Sequence, residues 1–407
     1  MRVMCTVSAW PTHYFPMVPL GWALQSAGHE VRVLCAPSQA GTVARAGLTP
    51  VPVLGELEIP YLARLRNVFD AQAGRWPYPW MPPHPGTGEP LARVEDFGFG
   101  EFAKYSQLKI AGPVEKSGRA AVEFARAWRP HLVLHEPLSL EGLLAAKVAG
   151  VPSVVHLWGP VGTHETDPEV RGVAEYPPNS FTRYGVGAVD LDAVEYAVDP
   201  CPVGMQPPTE ATRLPVRYTP YNGPGAMPTW VLDPPSRPRV AVVWGNSLTA
   251  MLGPESCAVP QVVEALSDLP VEVVVAAGAK DVPAVPSSAR AQVRVLEQFP
   301  LNLLLDSCSA VVHHGGAGCT MTSVAAGVPQ LAIPAAMDQP ANAARLVATG
   351  AGKRIPRPEL TVAAVRAAVA ELLESASYRE AATRLREQLR QRPTPAQLVA
   401  DLEKIAR

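Results

Sequence analysis

Short apolar runs recur along the chain, each followed by a loop and a stretch with helical spacing. "RVMCTVS" at 2–8 is the first; a helical pattern across 17–27 follows, and Gly28 suits its C-terminal end. "EVRVLCAP" at 30–37, "HLVLHE" at 131–136, a helix over 141–149 closed by Gly150, and "VPSVVHLW" at 151–158 continue the alternation. The pattern restarts with "RVAVVWGN" at 239–246. It runs on through a helix near 258–267, "VEVVVAAG" at 271–278, "VRVLEQ" at 293–298 and "AVVHHGG" at 310–316. A helix at 318–327, "QLAIPA" at 330–335, a helix at 340–349 and three further helical stretches complete it. Runs apolar on both faces that alternate with helices predict parallel strands covered on both sides. The expected class is α/β, with two Rossmann-like doubly wound domains and a ligand cleft between the carboxyl ends of their sheets.

Proline sharpens the boundaries. Of 45 prolines, the densest groups lie in "RWPYPWMPPHPGTGEP" (75–90) and "PVRYTPYNGPGAMPTWVLDPPSRP" (215–238). Proline fixes φ and removes a donor, so neither stretch is a helix or a central strand. The second falls between the two patterned halves and reads as a linker. The first interrupts the N-terminal half and reads as a long loop over something functional. The expected division is 1–214, a linker at 215–238, 239–390, and a final helix in 391–407 that packs back toward the first half.

Composition adds exclusions. A chain of 407 residues exceeds the size at which one core keeps growing, and 47% hydrophobic residues suffice for two. A formal charge of −2 offers no electrostatic case for nucleic acid or an anionic membrane surface. No run approaches the roughly 18 apolar residues of a membrane span, and a strand begins almost at once without a signal-like region. The six cysteines are scattered, several of them in apolar runs, as buried free thiols are. A cytoplasmic protein is expected.

The candidate chemistry concentrates in "HHGGAG" (313–318), a turn between an apolar strand and a helix. Spacing alone leaves a catalytic histidine pair, a metal site and an anion-holding turn open. Glycines let main-chain amides approach an anion, and a helix start adds partial positive charge. The run is neither a P-loop nor GxGxxG. Adjacent strand residues face opposite sides, so only one of His313 and His314 faces a cleft. Two other small polar turns converge on the same sheet edge. Gly245, Asn246 and Ser247 follow one strand, and Asp338 with Gln339 lies between a strand and a helix, offering acceptors and donors suited to sugar hydroxyls.

These segments resemble a known family. "HHGGAG … GVPQLAIPAAMDQPANAARLVATGAG" is similar to the donor signature of GT-B glycosyltransferases of family 1, in particular the bacterial antibiotic, macrolide and polyketide branch. "PTHYFPMVPLGWALQSAGHEVRVL" resembles that family's opening segment. The resemblance spans both halves; about 55–105 and 160–235 carry no recognisable motif. It implies an acceptor-binding N-terminal domain and a nucleotide-sugar C-terminal domain. The implied reaction is inverting, metal-independent transfer of a deoxysugar from a dTDP-sugar, or a UDP-sugar, to a hydrophobic natural-product aglycone. No cofactor or metal is implied beyond that co-substrate.

His13 matches the family's base, and histidine's ordinary pKa suits deprotonation of a hydroxyl. Glu136 stands where the family has an aspartate that orients this histidine, a departure that leaves the dyad open; His135 beside it faces the other way. His314 matches the diphosphate contact, which leaves His313 to pack beneath; Gly316, Ala317, Gly318, Cys319 and Thr320 join it, and Cys319 stands where many relatives carry a hydroxyl. Gln298 and Phe299 match the base-binding loop, and Asp338 and Gln339 the sugar readers. For the acceptor, Tyr14, Phe15, Trp76, Tyr78, Trp80, Phe99 and Trp158 are the candidates, with residues 75–105 as a lid. Whether the chain forms a homodimer or needs an auxiliary activator protein is left open. Three other readings carry weaker support. "VDLDA" offers Asp190 and Asp192 as a metal-binding D-x-D, although solvated surface is the blander reading. A nucleotide-sugar 2-epimerase shares the architecture, and a catalytically idle partner protein would keep the fold.

Overall fold

A computed structural model describes residues 1–165, 181–278, 281–285 and 293–407, with the side chains of Phe99, Asn246 and Pro283 left out. Seven strands form the first sheet: β1 (Arg2–Thr6), β2 (Glu30–Leu34), β3 (Pro50–Val51), β4 (Leu132–His135), β5 (Ser153–His156), β6 (Tyr196–Asp199) and β7 (Thr212–Pro215). Six form the second: β8 (Arg239–Trp244), β9 (Glu272–Ala277), β10 (Val293–Glu297), β11 (Ala310–His313), β12 (Gln330–Ala332) and β13 (Gly352–Arg354). The orders are β3-β2-β1-β4-β5-β6-β7 and β10-β9-β8-β11-β12-β13, and every pairing is parallel. This is the doubly wound α/β class expected from the alternation. In each sheet the winding reverses beside the first strand, between β1 and β4 and between β8 and β11. Such a switch point opens a crevice at the carboxyl ends of the strands. Register puts Thr6 opposite His135 in one sheet and Val243 opposite His313 in the other, so Glu136 and His314 lie at the two crevices.

The central strands are buried along their whole length, as the apolar runs require. The two halves also share packing. The helix Ile59–Gln72 lies on the helix Asn246–Leu252, and Asn67 Nδ2 donates to the Met251 carbonyl at 2.9 Å. The chain returns at its end, where Leu398, Val399 and Leu402 of the helix Pro395–Ile405 join the core of the first sheet against the helix Val18–Ser26. No described helix is long and apolar enough to cross a membrane.

One buried ionic knot holds this return. Asp199, fully buried at the end of β6, accepts from the Cys201 amide at 2.8 Å and the Gln206 amide nitrogen at 3.1 Å, and pairs with Arg213. Arg392, just before the last helix, lies 3.7 Å from the same carboxylate and donates to the Asp199 and Cys201 carbonyls. Removing one partner of such a knot leaves buried charge without compensation. Asp199→Ala is therefore expected to destabilise the fold by about 3–5 kcal/mol. Urea titration of the variant beside wild type checks this, and a shift under about 1 kcal/mol would contradict it.

Candidate active site

His13 does not sit in an open loop. It belongs to the four-residue helix Pro11–Tyr14, which starts on a proline just past β1. Its ring stacks on Trp158, with centroids 4.5 Å apart and planes at 21°, and Trp10 stands 6.4 Å away on another side. The residue keeps some surface in the cleft, yet burial pulls its pKa from 6.5 down to about 3, so the ring is neutral at pH 7. Its Nδ1 is buried without a hydrogen-bond partner.

The carboxylate–histidine dyad left open by the sequence does not form between Glu136 and His13. Both Glu136 oxygens accept from main-chain amides, Oε1 from Ser8 at 2.9 Å and Oε2 from Leu138 at 2.8 Å. The extra methylene of glutamate lets it brace the turns that follow β1 and β4. Burial pushes its pKa up to about 7, against the pull of those amides and the Ser8 hydroxyl. His135 is buried and its Nδ1 lies 3.2 Å from the Glu136 carbonyl oxygen.

Across the cleft, Gly316 caps the helix Ala317–Ala326, and Gly315 adopts φ 84°, a left-handed turn that favours glycine. The amides of Ala317, Gly318 and Cys319 open that helix and have no intrahelical acceptor, which makes its start a cradle for an anion. His314 lies over Gly316; a Cβ added there would come within 2.6 Å of its Nε2. It also meets Trp244 edge-on at 5.8 Å. Burial draws the His314 pKa down to about 4, opposed by the Val243 main chain. His313 packs beneath. Its Nδ1 accepts from the Gly315 amide at 2.9 Å, and its Nε2 lies 2.9 Å from Gln330 Oε1, so both ring nitrogens are spent on the turn. Ser247 and Cys319 keep surface at this edge, whereas Thr320 is fully buried with an unpartnered hydroxyl. Thr320 is thus not a free substitute for the hydroxyl that Cys319 lacks.

Asp338 begins the helix Gln339–Ala348, where its carboxylate accepts from Asn342 Nδ2 at 3.0 Å; burial raises its pKa. Asn342 also donates to the Gly315 carbonyl at 3.0 Å, which ties this helix to the glycine turn. Gln339 Oε1 accepts from the Ala335 amide at 3.0 Å, leaving its amide nitrogen as the group able to reach a ligand. Gln298 is exposed with φ 47°, its amide bonded to the Ala277 carbonyl, while Phe299 is half-buried against Val231, Leu301 and Leu304. The Asn246 and Phe99 side chains lie outside the described set. Asp190 is spent capping its own turn through the Ala193 amide, and Asp192 is exposed beside His164, so this D-x-D is surface.

Family-level similarity agrees with this geometry. Residues 104–245 match the model of the erythromycin biosynthesis protein CIII-like N-terminal domain, and 260–405 that of its C-terminal domain. The 10-deoxymethynolide desosaminyltransferase of Streptomyces venezuelae is 35% identical over all of this chain and 97% of its own length. The tylactone mycaminosyltransferase of Streptomyces fradiae is 34% identical over all of this chain and 92% of its own. The chain belongs to this family of GT-B natural-product glycosyltransferases. Among solved structures, the spinosyn rhamnosyltransferase SpnG complexed with thymidine diphosphate superposes with a TM-score of 0.72 at 28% identity, covering 99% of this chain and 100% of that one. The glycosyltransferase VinC in complex with dTDP gives 0.73 at 30%, covering 100% and 99%.

Most of the described aromatic candidates of this glycosyltransferase are engaged in packing or in contacts between the two domains. Tyr14 is a core residue whose hydroxyl donates to Gln39 Oε1 at 3.0 Å. Phe15 packs edge-on against Tyr221 of the linker, at 5.0 Å. The proline-rich loop crosses to the second domain. Tyr78 donates to the Ala335 carbonyl at 2.6 Å, Trp80 to Leu252 at 3.0 Å, and Trp76 to Trp80 at 2.5 Å. Tyr78 and Trp80 stack at 4.5 Å, so these rings form a strap between domains. Trp158 alone of the described candidates reaches His13. A small hollow, of about the size of one water, lies past the end of β1, lined by Val7, Leu54, Leu57, Val114 and Leu138 with the polar Ser8, Ser117 and Glu141. Its lining is mixed aliphatic and polar and drawn from four separate segments, so no local motif announces it.

Proposed function

We propose that this glycosyltransferase moves a deoxysugar from a dTDP-sugar to a hydrophobic polyketide-type aglycone, inverting the anomeric centre, with His13 as base. The observation that carries the reading is the opposition of two groups at the two switch points: an acceptor-side imidazole with one free nitrogen, and a donor-side helix start under His314. His13 would take the proton of the acceptor hydroxyl as its oxygen attacks the anomeric carbon. The bond from that carbon to the β-phosphate oxygen breaks, and the electron pair leaves on the diphosphate. The amides of Ala317, Gly318 and Cys319, the Ser247 hydroxyl and His314 would receive that charge, which preorganised donors can stabilise without a metal. The resting His13 is a weak base; the negative charge of a donor diphosphate entering the cleft raises its proton affinity when transfer requires it. Asp338 and the Gln339 amide would read the sugar. Support for the substrate classes comes from the relatives, whose names specify desosaminyl, mycaminosyl and rhodosaminyl transfer, and from neighbours solved with thymidine diphosphate.

Calorimetric titration with dTDP and UDP tests the donor. dTDP is expected to bind at least about tenfold more tightly; equal or tighter UDP binding overturns that assignment. Incubation with dTDP-deoxysugars and a panel of 10-deoxymethynolide, tylactone and aklavinone, read by mass spectrometry, tests the acceptor class. Transfer to small sugars alone would exclude a hydrophobic aglycone. The anomeric configuration of the product, by NMR, decides inversion.

A further inference from the structure

We propose that Trp158 is the positioning residue for His13, holding its ring by stacking where Glu136 does not reach, and that it fastens the ring to the donor domain. The inference rests on the reading of His13 as base. With the Glu136 oxygens spent on Ser8 and Leu138 and His13 Nδ1 unpartnered, no side-chain hydrogen bond from Glu136 fixes the imidazole plane. The face of Trp158, itself only 3% exposed, lies against it at 4.5 Å. A near-parallel stack restricts tilt and keeps water off one face of the ring.

The far side of Trp158 belongs to the donor-binding elements. Its indole N–H approaches the Asp338 carboxylate without closing a full hydrogen bond, and it packs within the core cluster that includes Trp244 and Ala317. The loop that carries it is clamped to the same domain at three points. Gly159 lies so close to Ala317 that an added Cβ would come within 2.8 Å of the Ala317 Cβ. Arg345, on the helix that Asp338 begins, donates to the Pro160 carbonyl. It also forms a two-pronged pair with Glu165, at 2.8 Å for both bonds, while Glu165 accepts from the Gly162 amide. Sugar-binding and base-bearing elements therefore meet through one indole. A change in how the donor domain sits would reach the His13 ring through this contact, linking occupancy of the donor side to readiness of the base.

Three variants test this: Trp158→Leu, Trp158→Phe and Arg345→Met, each with 15N-histidine labelling and with His13→Asn to assign the resonance. In Trp158→Leu the His13 titration is expected to move up by about one pH unit or more as water reaches the ring. Its kcat for transfer from a dTDP-deoxysugar to 10-deoxymethynolide or tylactone should fall by about tenfold or more, with aglycone KM changed less than about threefold. Trp158→Phe keeps a stacking face and should recover most of both readouts. Arg345→Met, which leaves both rings in place, should raise the titration part-way. An unmoved His13 titration in Trp158→Leu overturns the proposal, as does a rise in KM alone in both Trp158 variants. If Trp158→Leu does not fold, Trp158→Phe and Arg345→Met carry the test, and an unmoved titration in Arg345→Met overturns the tie to the donor domain. Failure of the base reading looks different: His13→Asn would then keep full turnover while the Trp158 variants still move the His13 titration.

Discussion

Replacing His13 by alanine is expected to lower kcat for sugar transfer by roughly 10²–10⁴-fold, while dTDP affinity measured by calorimetry stays within about threefold of wild type. The separation follows from where the residue lies. His13 belongs to the first sheet's crevice, and the groups suited to the diphosphate (the amides after Gly316, His314 and Ser247) belong to the second. Loss of the imidazole removes the proton acceptor and leaves the anion cradle intact. Glu136 is no ready replacement, because both its oxygens are bonded to main-chain amides. Initial rates with the aglycone panel provide the measurement. Undiminished turnover in a folded His13→Ala protein would sink the base assignment, and a collapse of dTDP affinity would move His13 into donor binding.

Acid should destabilise the fold steeply below pH 6.5. Burial draws His313 down to about 3, and His135, His156 and His314 to about 4, and all four are nearly or fully buried. In that window the unfolded chain binds protons that the folded chain refuses, so stability is complete above 6.5 and is lost as pH falls toward 4. Each such histidine costs about 1.4 kcal/mol per pH unit. Glu136 works in the opposite sense. With its pKa pushed up to about 7, the folded state holds a proton between 4.5 and 7 that the unfolded state has released. It offsets about one histidine, and the raised Asp338 opposes acid loss in the same direction. With His13 drawn down in the same way, five histidines less the Glu136 offset give a net slope of about 5 kcal/mol per pH unit. That is enough to consume a typical stability of about 5–15 kcal/mol within a few units. Urea midpoints at pH 7.5, 6.5, 5.5 and 5.0 should be level above 6.5 and drop below it. A midpoint unchanged between 6.5 and 5.0 would show that these imidazoles find water or partners when protonated.

Much of the architecture was legible from the order of residues because parallel strands buried on both faces leave an unmistakable apolar signature. β1, β4, β8 and β11 are the buried strands beside the switch points, and all four stand out as continuous runs. Less central elements were harder to see. β7 is a half-exposed edge strand ending on Pro215, and β6 ends on a charged Asp199 followed by Pro200, which breaks the apolar run. The helix Ile59–Gln72 falls where no motif guided the reading, and Gly112–Trp128 falls between the assigned segments.

The site divides along the same physical line. Local features were determined by the chain itself: the glycine turn, the alternation that buries His313 behind His314, and the placement of His13 and Asp338 at strand ends. These depend on neighbours within a few residues, whose geometry is set by φ, by period and by helix starts. Contacts made over long separations were decided only by the tertiary structure. An aromatic-rich loop reads alike whether it lines a pocket or straps two domains together, and Tyr78 and Trp80 turned out to bind main-chain carbonyls of the far domain. One methylene in Glu136 sends its carboxylate to two amides, and Trp158, 145 positions from His13 by number, supplies the face that the imidazole rests on. Burial did the rest, since the pKa of an imidazole depends on what surrounds it in space and not on its neighbours along the chain.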